Sequence, residues 1–292
     1  IAGRIEKNST EIPIHLDKAK KFEKIWIVAC GTAYHAGLFG KDLFEKVLGV
    51  PVSVELASEF RYREPIIGKN DLAIVISQSG ETMDTIAATE LLKENGSHVL
   101  ALVNVVGSSL ARMADSVFYL HVGPEIGVAS TKAYLGMLVG QLLLAKHWDS
   151  NNKLDTSLEE IKALPSLIEE ALKCEDQVKQ ISKLIYKKKD IYFIGRGLDY
   201  ALAAEGALKL KEISYLHAEA LAAGELKHGT LALIEEGTPV IVTASQRHLL
   251  DKTTSNVQEV IARGAYVIAV GDVSSKKLKD ISNNTIFFRI IH

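Results

Sequence analysis

The chain has 292 residues, 47% of them apolar, which suggests about two domains with a sizeable buried core. Its formal charge of −2, from 34 basic and 36 acidic residues, gives no reason to expect nucleic acid or an anionic membrane as a partner. No apolar stretch is long enough for a membrane span, the N-terminus lacks a signal peptide, and Cys30 and Cys174 form no motif, so we expect a cytoplasmic protein with reduced thiols.

Short apolar runs alternate with helical patterns along the first half of the chain. Strands are predicted at 24–30, 72–77, 99–104 and 116–122, and helices at 33–49, 82–96 and 108–114. Because these strands have no internal polar alternation, we expect them to be buried on both faces, as in a parallel sheet covered by helices. The alternation of strands and helices predicts a doubly wound α/β sheet.

The second half of the chain repeats the order of the first. Strands predicted at 190–197, 239–244 and 266–271 match those of the first half at offsets of 166 or 167 residues, and 222–228 resembles 56–62 at the same offset. A near-constant offset implies duplication of one α/β unit. Between the halves, 151–190 predicts two connecting helices that break near Pro165, and its lysine run at 187–189 is interpreted as a solvated end.

The segment "SQSGET" at 77–82 joins a predicted buried strand to a predicted helix. Such a strand end lies at the ligand-binding edge of a parallel sheet, and the helix start exposes N–H groups and the positive end of a dipole. Hydroxyls and one amide surround Gly80, namely those of Ser77, Gln78, Ser79, Thr82 and Thr85. A plain helix cap needs one hydroxyl, so a phosphate cradle is favoured. No P-loop lysine and no G-x-G-x-x-G pattern is present, so a sugar phosphate fits better than ATP or NAD.

Two further stretches carry candidate functional residues. In 205–233, Lys209 and Glu212 lie three residues apart on one helix face, which by composition alone is an ordinary surface salt bridge. The Ala- and Gly-rich segment after them is expected to be a close-packed turn that desolvates four titratable groups: Glu219, Glu225, Lys227 and His228. In 123–136, a plain N-cap at Ser130 or Thr131 and a ligand-lining loop are equally compatible with the residues.

Together these stretches resemble one family, the sugar isomerase (SIS) half of the glucosamine-6-phosphate synthases, or glutamine–fructose-6-phosphate aminotransferases. The motifs are "CGTAYHAG", "ELASEFRYRE", "SQSGETMDT", "EIGVASTKAY", "EGALKLKEISYLHAEA" and "GELKHGTLAL", in the family order between residues 24 and 245. The last two are highly specific, whereas "SQSGET" alone indicates only a phosphosugar. The resemblance implies two tandem flavodoxin-like SIS domains, each a five-stranded parallel sheet flanked by helices. We expect them at 1–158, with an N-terminal arm, and at 159–292, with the connecting helices.

The resemblance also implies roles for single residues. The phosphate would be held by Ser77, Gln78, Ser79 and Thr82, and the sugar would be lined by Thr32, Val128 and Ser130. Glu212 would be the proton-transfer base with Lys209 beside it, and His228 would open the sugar ring, reaching the site from the partner subunit of a dimer. At Ala33 the family usually has a serine that touches the sugar, so one hydroxyl contact is lost or replaced here.

The implied reaction converts fructose-6-phosphate into glucosamine-6-phosphate with ammonia from glutamine, and glucose-6-phosphate is a further implied ligand. No metal or cofactor is expected. The family's glutaminase domain, C-terminal helix and tail, whose lysine forms an imine with the ketose, would lie outside this sequence. We therefore expect this piece to bind sugar phosphate but to catalyse poorly alone. A non-catalytic phosphosugar sensor and a simple phosphosugar isomerase remain alternatives.

Overall fold

The structure is a computed structural model that describes residues 22–273 and 275–288. Residues 1–21, in the predicted N-terminal arm, lie outside the described residues. The chain divides between Leu158 and Glu159 into two compact units. Each unit is built on one five-stranded sheet in which every pair of neighbouring strands is parallel. In the described part of the chain, no helix has the length and hydropathy that a membrane span requires.

The first unit alternates strands and helices around its sheet. Its strands are β1 (Ile25–Ala29), β2 (Val52–Leu56), β3 (Leu72–Ser77), β4 (His98–Val103) and β5 (Ser116–Tyr119). Its helices are α1 (Gly31–Leu48), α2 (Ala57–Phe60), α3 (Met83–Glu94), α4 (Ser109–Met113) and α5 (Lys132–Trp148). The strand order is β2-β1-β3-β4-β5, which places β3 at the centre. Every residue of β1 and β3 is buried, as the uninterrupted apolar runs predict.

Two helices, α6 (Leu158–Leu172) and α7 (Glu175–Ile185), connect the sheets in sequence. The predicted break near Pro165 is wrong, because α6 continues through this residue and the helices separate at 173–174 instead. A proline removes one intrahelical hydrogen bond, but its fixed φ is itself helical. The amphipathic pattern of α6, with Ile161 buried, therefore outweighs the local defect. The lysine run at 187–189 is exposed, as interpreted.

The second unit has the same architecture. Its strands are β6 (Asp190–Gly195), β7 (His217–Ala222), β8 (Pro239–Ala244), β9 (Tyr266–Asp272) and β10 (Asn284–Phe288), and its helices are α8 (Leu198–Ser214), α9 (Leu250–Ile261) and α10 (Lys276–Ile281). Short 3-10 segments follow β7 at Ala223–His228 and Thr230–Leu233 and precede α9 at Arg247–Leu249. The order β10-β9-β8-β6-β7 reproduces the first sheet when it is read from the β7 edge.

The repeat extends to the loops where the strands end. Gly31 begins α1 with a φ of 54°, and Gly197, which precedes α8, has a φ of 55°. These positive values suit glycine, because other residues adopt them at a steric cost. Likewise, β3 ends at Ser77 and β8 ends at Ala244, and each is followed by a loop that leads to a helix. Each unit thus presents equivalent loops at the carboxyl edge of its sheet, where open α/β sheets bind ligands.

Candidate functional site

The carboxyl edge of the first sheet carries a cavity of about 160 Å³. Its lining comes from the ends of β1 and β3, the starts of α1 and α3, and α5 with the loop before it: Cys30, Thr32, Ala33, Ile76, Ser77, Gln78, Ser79, Thr82, Ser130 and Met137. Of the residues expected to bind the substrate, Thr85 and Val128 are not among them. Val128 is 98% exposed on the loop before α5.

The loop after β3 is held in shape by its own hydroxyls. The Gly80 N–H donates to Ser77 Oγ at 3.0 Å, and the Glu81 N–H donates to Ser79 Oγ at 3.1 Å. Ser77 Oγ also lies 3.2 Å from Thr82 Oγ1. Ser79 Oγ acts only as an acceptor within the loop, so its O–H group remains as a donor for another partner. Ser77 and Thr82 share one hydrogen bond, so one of their two hydroxyl protons also remains. The loop therefore presents hydroxyl donors at the end of the central strand.

Thr82 is the N-cap residue of α3, but its side chain makes no capping hydrogen bond. The first-turn N–H groups of α3 are consequently not satisfied by the residue that would normally accept from them. The positive end of the helix dipole lies at the same place. This geometry argues against the plain helix cap and leaves the helix start available to an anion.

Gly80 allows the close approach that this loop needs. Its φ is 68°, and a Cβ at this position would lie 2.1 Å from Ser108 Oγ. Its carbonyl accepts from the Leu110 N–H at 3.0 Å, which ties the loop to α4. Any side chain here would collide with Ser108, the residue before α4, or change the backbone conformation.

Thr85 departs from the prediction that it belongs to the phosphate cradle. It does not line the cavity; it lies in the first turn of α3 and is fully buried. Its Oγ1 has no hydrogen-bond partner among the described residues. Its position in the sequence predicted that this hydroxyl would join those of Ser77, Ser79 and Thr82, but the rotation of the helix after Thr82 turns it toward the core.

The start of α5 is organised by Glu125, which the sequence reasoning did not single out. Its carboxylate accepts from the Thr131 N–H at 2.7 Å and from the Ser130 hydroxyl at 2.8 Å. Partial burial opposes ionisation, but these hydrogen bonds outweigh it and hold the pKa of Glu125 below its ordinary value. Thr131 is the N-cap residue and makes no side-chain cap. Ser130 therefore lines the cavity with its proton committed to Glu125 and its oxygen available as an acceptor.

A larger, more open groove of about 630 Å³ adjoins this edge and shares Gln78 with the cavity. Its other lining residues are Asn104, Val105, His121, Gly123, Pro124 and Glu125. This lining has no hydroxyl side chain and includes a carboxylate that repels anions. Size alone favours the groove, but its chemistry does not suit a phosphoryl group, whereas that of the smaller cavity does.

In the second unit, Lys209 lies between two carboxylates on α8. Its Nζ is 2.6 Å from Glu212 Oε2 and 3.4 Å from Glu205 Oε1. The side chains of Lys209 and Glu205 are only 17% and 6% exposed, so the ion pair between these two residues is not an ordinary surface salt bridge. Glu205 was missed by the sequence reasoning, although its spacing of four residues from Lys209 was a usable signal. Glu212 is more accessible, with 30% of its side chain exposed.

The Ala- and Gly-rich segment after α8 differs from the expected close-packed turn. Glu219 lies on strand β7 and is half-buried, whereas Glu225, Lys227 and His228 are exposed. In the 3-10 segment Ala223–His228 the small and apolar side chains face the core, so the charged ones project outward. The expectation of desolvated groups is therefore wrong for these three residues. Among the described residues, no group of three or more His, Cys, Asp or Glu side chains could hold a metal ion.

The chain belongs to the SIS domain family, whose profile matches residues 18–146 and 184–289. It is similar to glutamine–fructose-6-phosphate aminotransferases [isomerizing]. The chain is 50% identical to that of Clostridium tetani over 282 residues, which are 94% of this chain and 46% of the relative. It is 42% identical to one from Thermus thermophilus over 300 residues, which are 100% of this chain and 50% of the relative.

A solved structure gives the same relationship. The C-terminal domain of the glucosamine–fructose-6-phosphate aminotransferase from Francisella tularensis superposes with a TM-score of 0.87 at 42% identity, covering 93% of this chain and 79% of that chain. The predicted fold class and the resemblance to this family are confirmed. The chain spans about half the length of the curated relatives it matches.

Proposed function

We propose that this chain is the sugar-phosphate isomerase portion of a glutamine–fructose-6-phosphate aminotransferase. The reaction would convert fructose-6-phosphate into glucosamine-6-phosphate, with ammonia released from glutamine by a glutaminase domain elsewhere in a longer protein. The observation that carries the proposal is the cavity at the end of β3, with its hydroxyl donors and uncapped helix start. The similarity to aminotransferases along 94% of this chain supports the same reaction.

The phosphoryl group would bind to the loop after β3, held by Ser77, Gln78, Ser79 and Thr82. The supporting contacts are those in which Ser77 Oγ and Ser79 Oγ accept from loop N–H groups. They leave the Ser79 proton and one proton of the Ser77–Thr82 pair for the ligand. A doubly charged group would also interact favourably with the start of α3. Binding energy from this remote group would orient the reacting carbons of the sugar.

The sugar itself would contact Thr32 and Ser130 in the cavity wall. Because the Ser130 proton is donated to Glu125, its oxygen would accept a hydrogen bond from a sugar hydroxyl. Val128, which is exposed, would contact the part of the sugar that extends beyond the cavity. Ala33 offers only a methyl group to the same ligand.

Glu212 would transfer the proton between the first and second carbons of the open-chain sugar. A carboxylate can take a proton α to a carbonyl or imine and return it one carbon away. The ammonium of Lys209, 2.6 Å from the Glu212 carboxylate, would hold that carboxylate in a fixed orientation. His228 is exposed in the single chain, which suits the proposal that it opens the sugar ring in the site of a partner subunit. We accordingly propose that the protein is a homodimer. We also propose that it is cytoplasmic.

The test measures the interconversion of fructose-6-phosphate and glucose-6-phosphate by the chain extended to the full length of its relatives. We expect turnover by the unmodified protein, and a loss of at least about 100-fold in kcat for Glu212→Gln, because general acid–base catalysis contributes about that much or more. Binding of the sugar phosphate should survive this substitution. Full isomerisation by Glu212→Gln would show that the base is another residue.

The same assay separates the proposal from its alternatives. Glutamine-dependent formation of glucosamine-6-phosphate is expected only for the aminotransferase. Isomerisation without amination would indicate a simple phosphosugar isomerase, and binding without turnover would indicate a phosphosugar sensor.

A further inference from the structure

Asp199 lies at the carboxyl edge of the second sheet and is buried, with only 1% of the residue exposed. Its oxygens accept from the Ser245 N–H at 3.0 Å and from the Ser245 hydroxyl at 2.6 Å. They also accept from the Gln246 N–H and side-chain amide, each at 3.3 Å. Main-chain amides, a hydroxyl and a glutamine amide are the donor types that the loop after β3 offers in the first unit.

The repeat places these donors at the position of the first unit's loop. Ser245 and Gln246 follow the last residue of β8, as Gln78 and Ser79 follow the last residue of β3. Asp199 lies two residues after Gly197. The residue two after Gly31, the matching positive-φ glycine, is Ala33, which lines the cavity of the first unit. The two units thus differ at one equivalent position, a methyl group facing a cavity in one and a carboxylate bound to the loop in the other.

The surrounding backbone fixes the Asp199 carboxylate in place. The Thr243 hydroxyl donates to the Asp199 carbonyl at 2.7 Å, and the Gln246 amide donates to the Arg196 carbonyl at 2.7 Å. A Cβ at Gly195 would lie 2.3 Å from the Asp199 carbonyl oxygen, so the start of α8 is packed tightly against the end of β6. The Asp199 side chain is therefore held in one position by the surrounding structure and is not a mobile surface group.

We propose that Asp199 is an internal anion that closes the second unit's copy of the phosphate cradle, so that the chain accepts a sugar phosphate only in its first unit. This inference rests on the proposed function of the first cavity. A phosphoryl group in the second unit would compete with the carboxylate for the same N–H and hydroxyl donors. It would also lie beside a buried negative charge, which repels it strongly in a medium of low dielectric constant.

The test is the location of inorganic phosphate in crystals of three proteins soaked under one condition. We expect phosphate in the first unit alone for the unmodified chain and for Asp199→Asn, whose amide still fills the space. We expect a second phosphate, bound to Ser245 and Gln246, for Asp199→Ala. A folded Asp199→Ala chain with phosphate in the first unit and none in the second would overturn the proposal. So would phosphate at Ser245 in the unmodified chain.

The reciprocal change keeps the proposal testable if Asp199→Ala does not fold. Ala33→Asp introduces a carboxylate at the matching position of the first unit and should remove phosphate from that cavity, whereas Ala33→Ser should retain it. Phosphate binding by Ala33→Asp equal to that of the unmodified chain would contradict the inference. If the first cavity takes no phosphate in the unmodified chain, the proposed function fails, but a gain of one phosphate by Asp199→Ala would still support the role of Asp199.

Discussion

The substitution Thr82→Val removes one hydroxyl from the proposed phosphate cradle with little change in shape. Thr82 has an extended backbone, with φ −67° and ψ 113°, which a β-branched valine also adopts. Since its side chain makes no capping bond, the usual penalty for losing an N-cap should be largely absent, and the fold loses only the 3.2 Å hydrogen bond between Thr82 Oγ1 and Ser77 Oγ. A hydrogen bond to a charged group contributes about 1.5–3 kcal/mol. We therefore expect the affinity for fructose-6-phosphate to fall by about 10- to 150-fold while the melting temperature changes little.

The matched control is Thr85→Val, three residues further along the same helix. The Thr85 hydroxyl is fully buried, lies outside the cavity lining and has no hydrogen-bond partner within residues 22–273 and 275–288. Its removal should therefore leave the affinity unchanged and the stability equal or higher. Isothermal titration calorimetry measures both variants against the unmodified chain. Binding by Thr82→Val within about twofold of the unmodified protein would contradict the expected role of this hydroxyl, as would equal weakening by Thr85→Val and Thr82→Val.

Three further predictions concern other groups at the first cavity. Ala33→Ser adds a hydroxyl to the cavity wall and should tighten binding of fructose-6-phosphate by about 2- to 12-fold in calorimetry, the range of one neutral hydrogen bond; unchanged affinity would show that this wall does not face the sugar. Fructose-6-phosphate should slow the alkylation of Cys30, which lines the cavity, but not that of Cys174 in the second unit, as measured by mass spectrometry of the two peptides. If Cys30 is alkylated at the same rate with and without fructose-6-phosphate, the cavity is not the site. Because the pKa of Glu125 is lowered in the folded protein, its carboxylate stabilises the fold above the unfolded-state pKa, and this stabilisation is lost as the pH falls through the folded-state pKa. The melting temperature of Glu125→Gln should therefore lie below that of the unmodified chain at neutral pH, and the difference should shrink on acidification. A difference that stays constant with pH would contradict this.

The sheet interiors were predictable from the sequence, whereas most of the sheet edges were not. The strands that the apolar runs did not indicate are β2, β7 and β10, and each is an edge strand. An edge strand is only partly covered, so its residues need not form a continuous apolar run, as the partly buried β2 illustrates. In β7 the sequence "HAEALA" consists largely of good helix formers, and tertiary pairing with β6 overrides this local propensity.

The site was predictable where side chains follow directly from a strand end. Ser77 is the last residue of β3, and Gln78 and Ser79 follow it, so the parallel-sheet rule was enough to locate them. Contacts between segments distant in the sequence could not be predicted in this way. The burial of Thr85 depends on which side of α3 packs against the rest of the unit. The hydrogen bonds from Ser245 to Asp199 join residues that are 46 positions apart in the sequence.

The central claim is that the loop at the end of β3 holds a phosphoryl group. The most direct measurement is a crystal structure of the chain soaked with fructose-6-phosphate. We expect the phosphoryl group in the 160 Å³ cavity at the start of α3, with its oxygens within hydrogen-bonding distance of Ser79 and Thr82. A phosphoryl group in the neighbouring groove beside Asn104 and His121, with the cavity empty at saturating ligand, would contradict it.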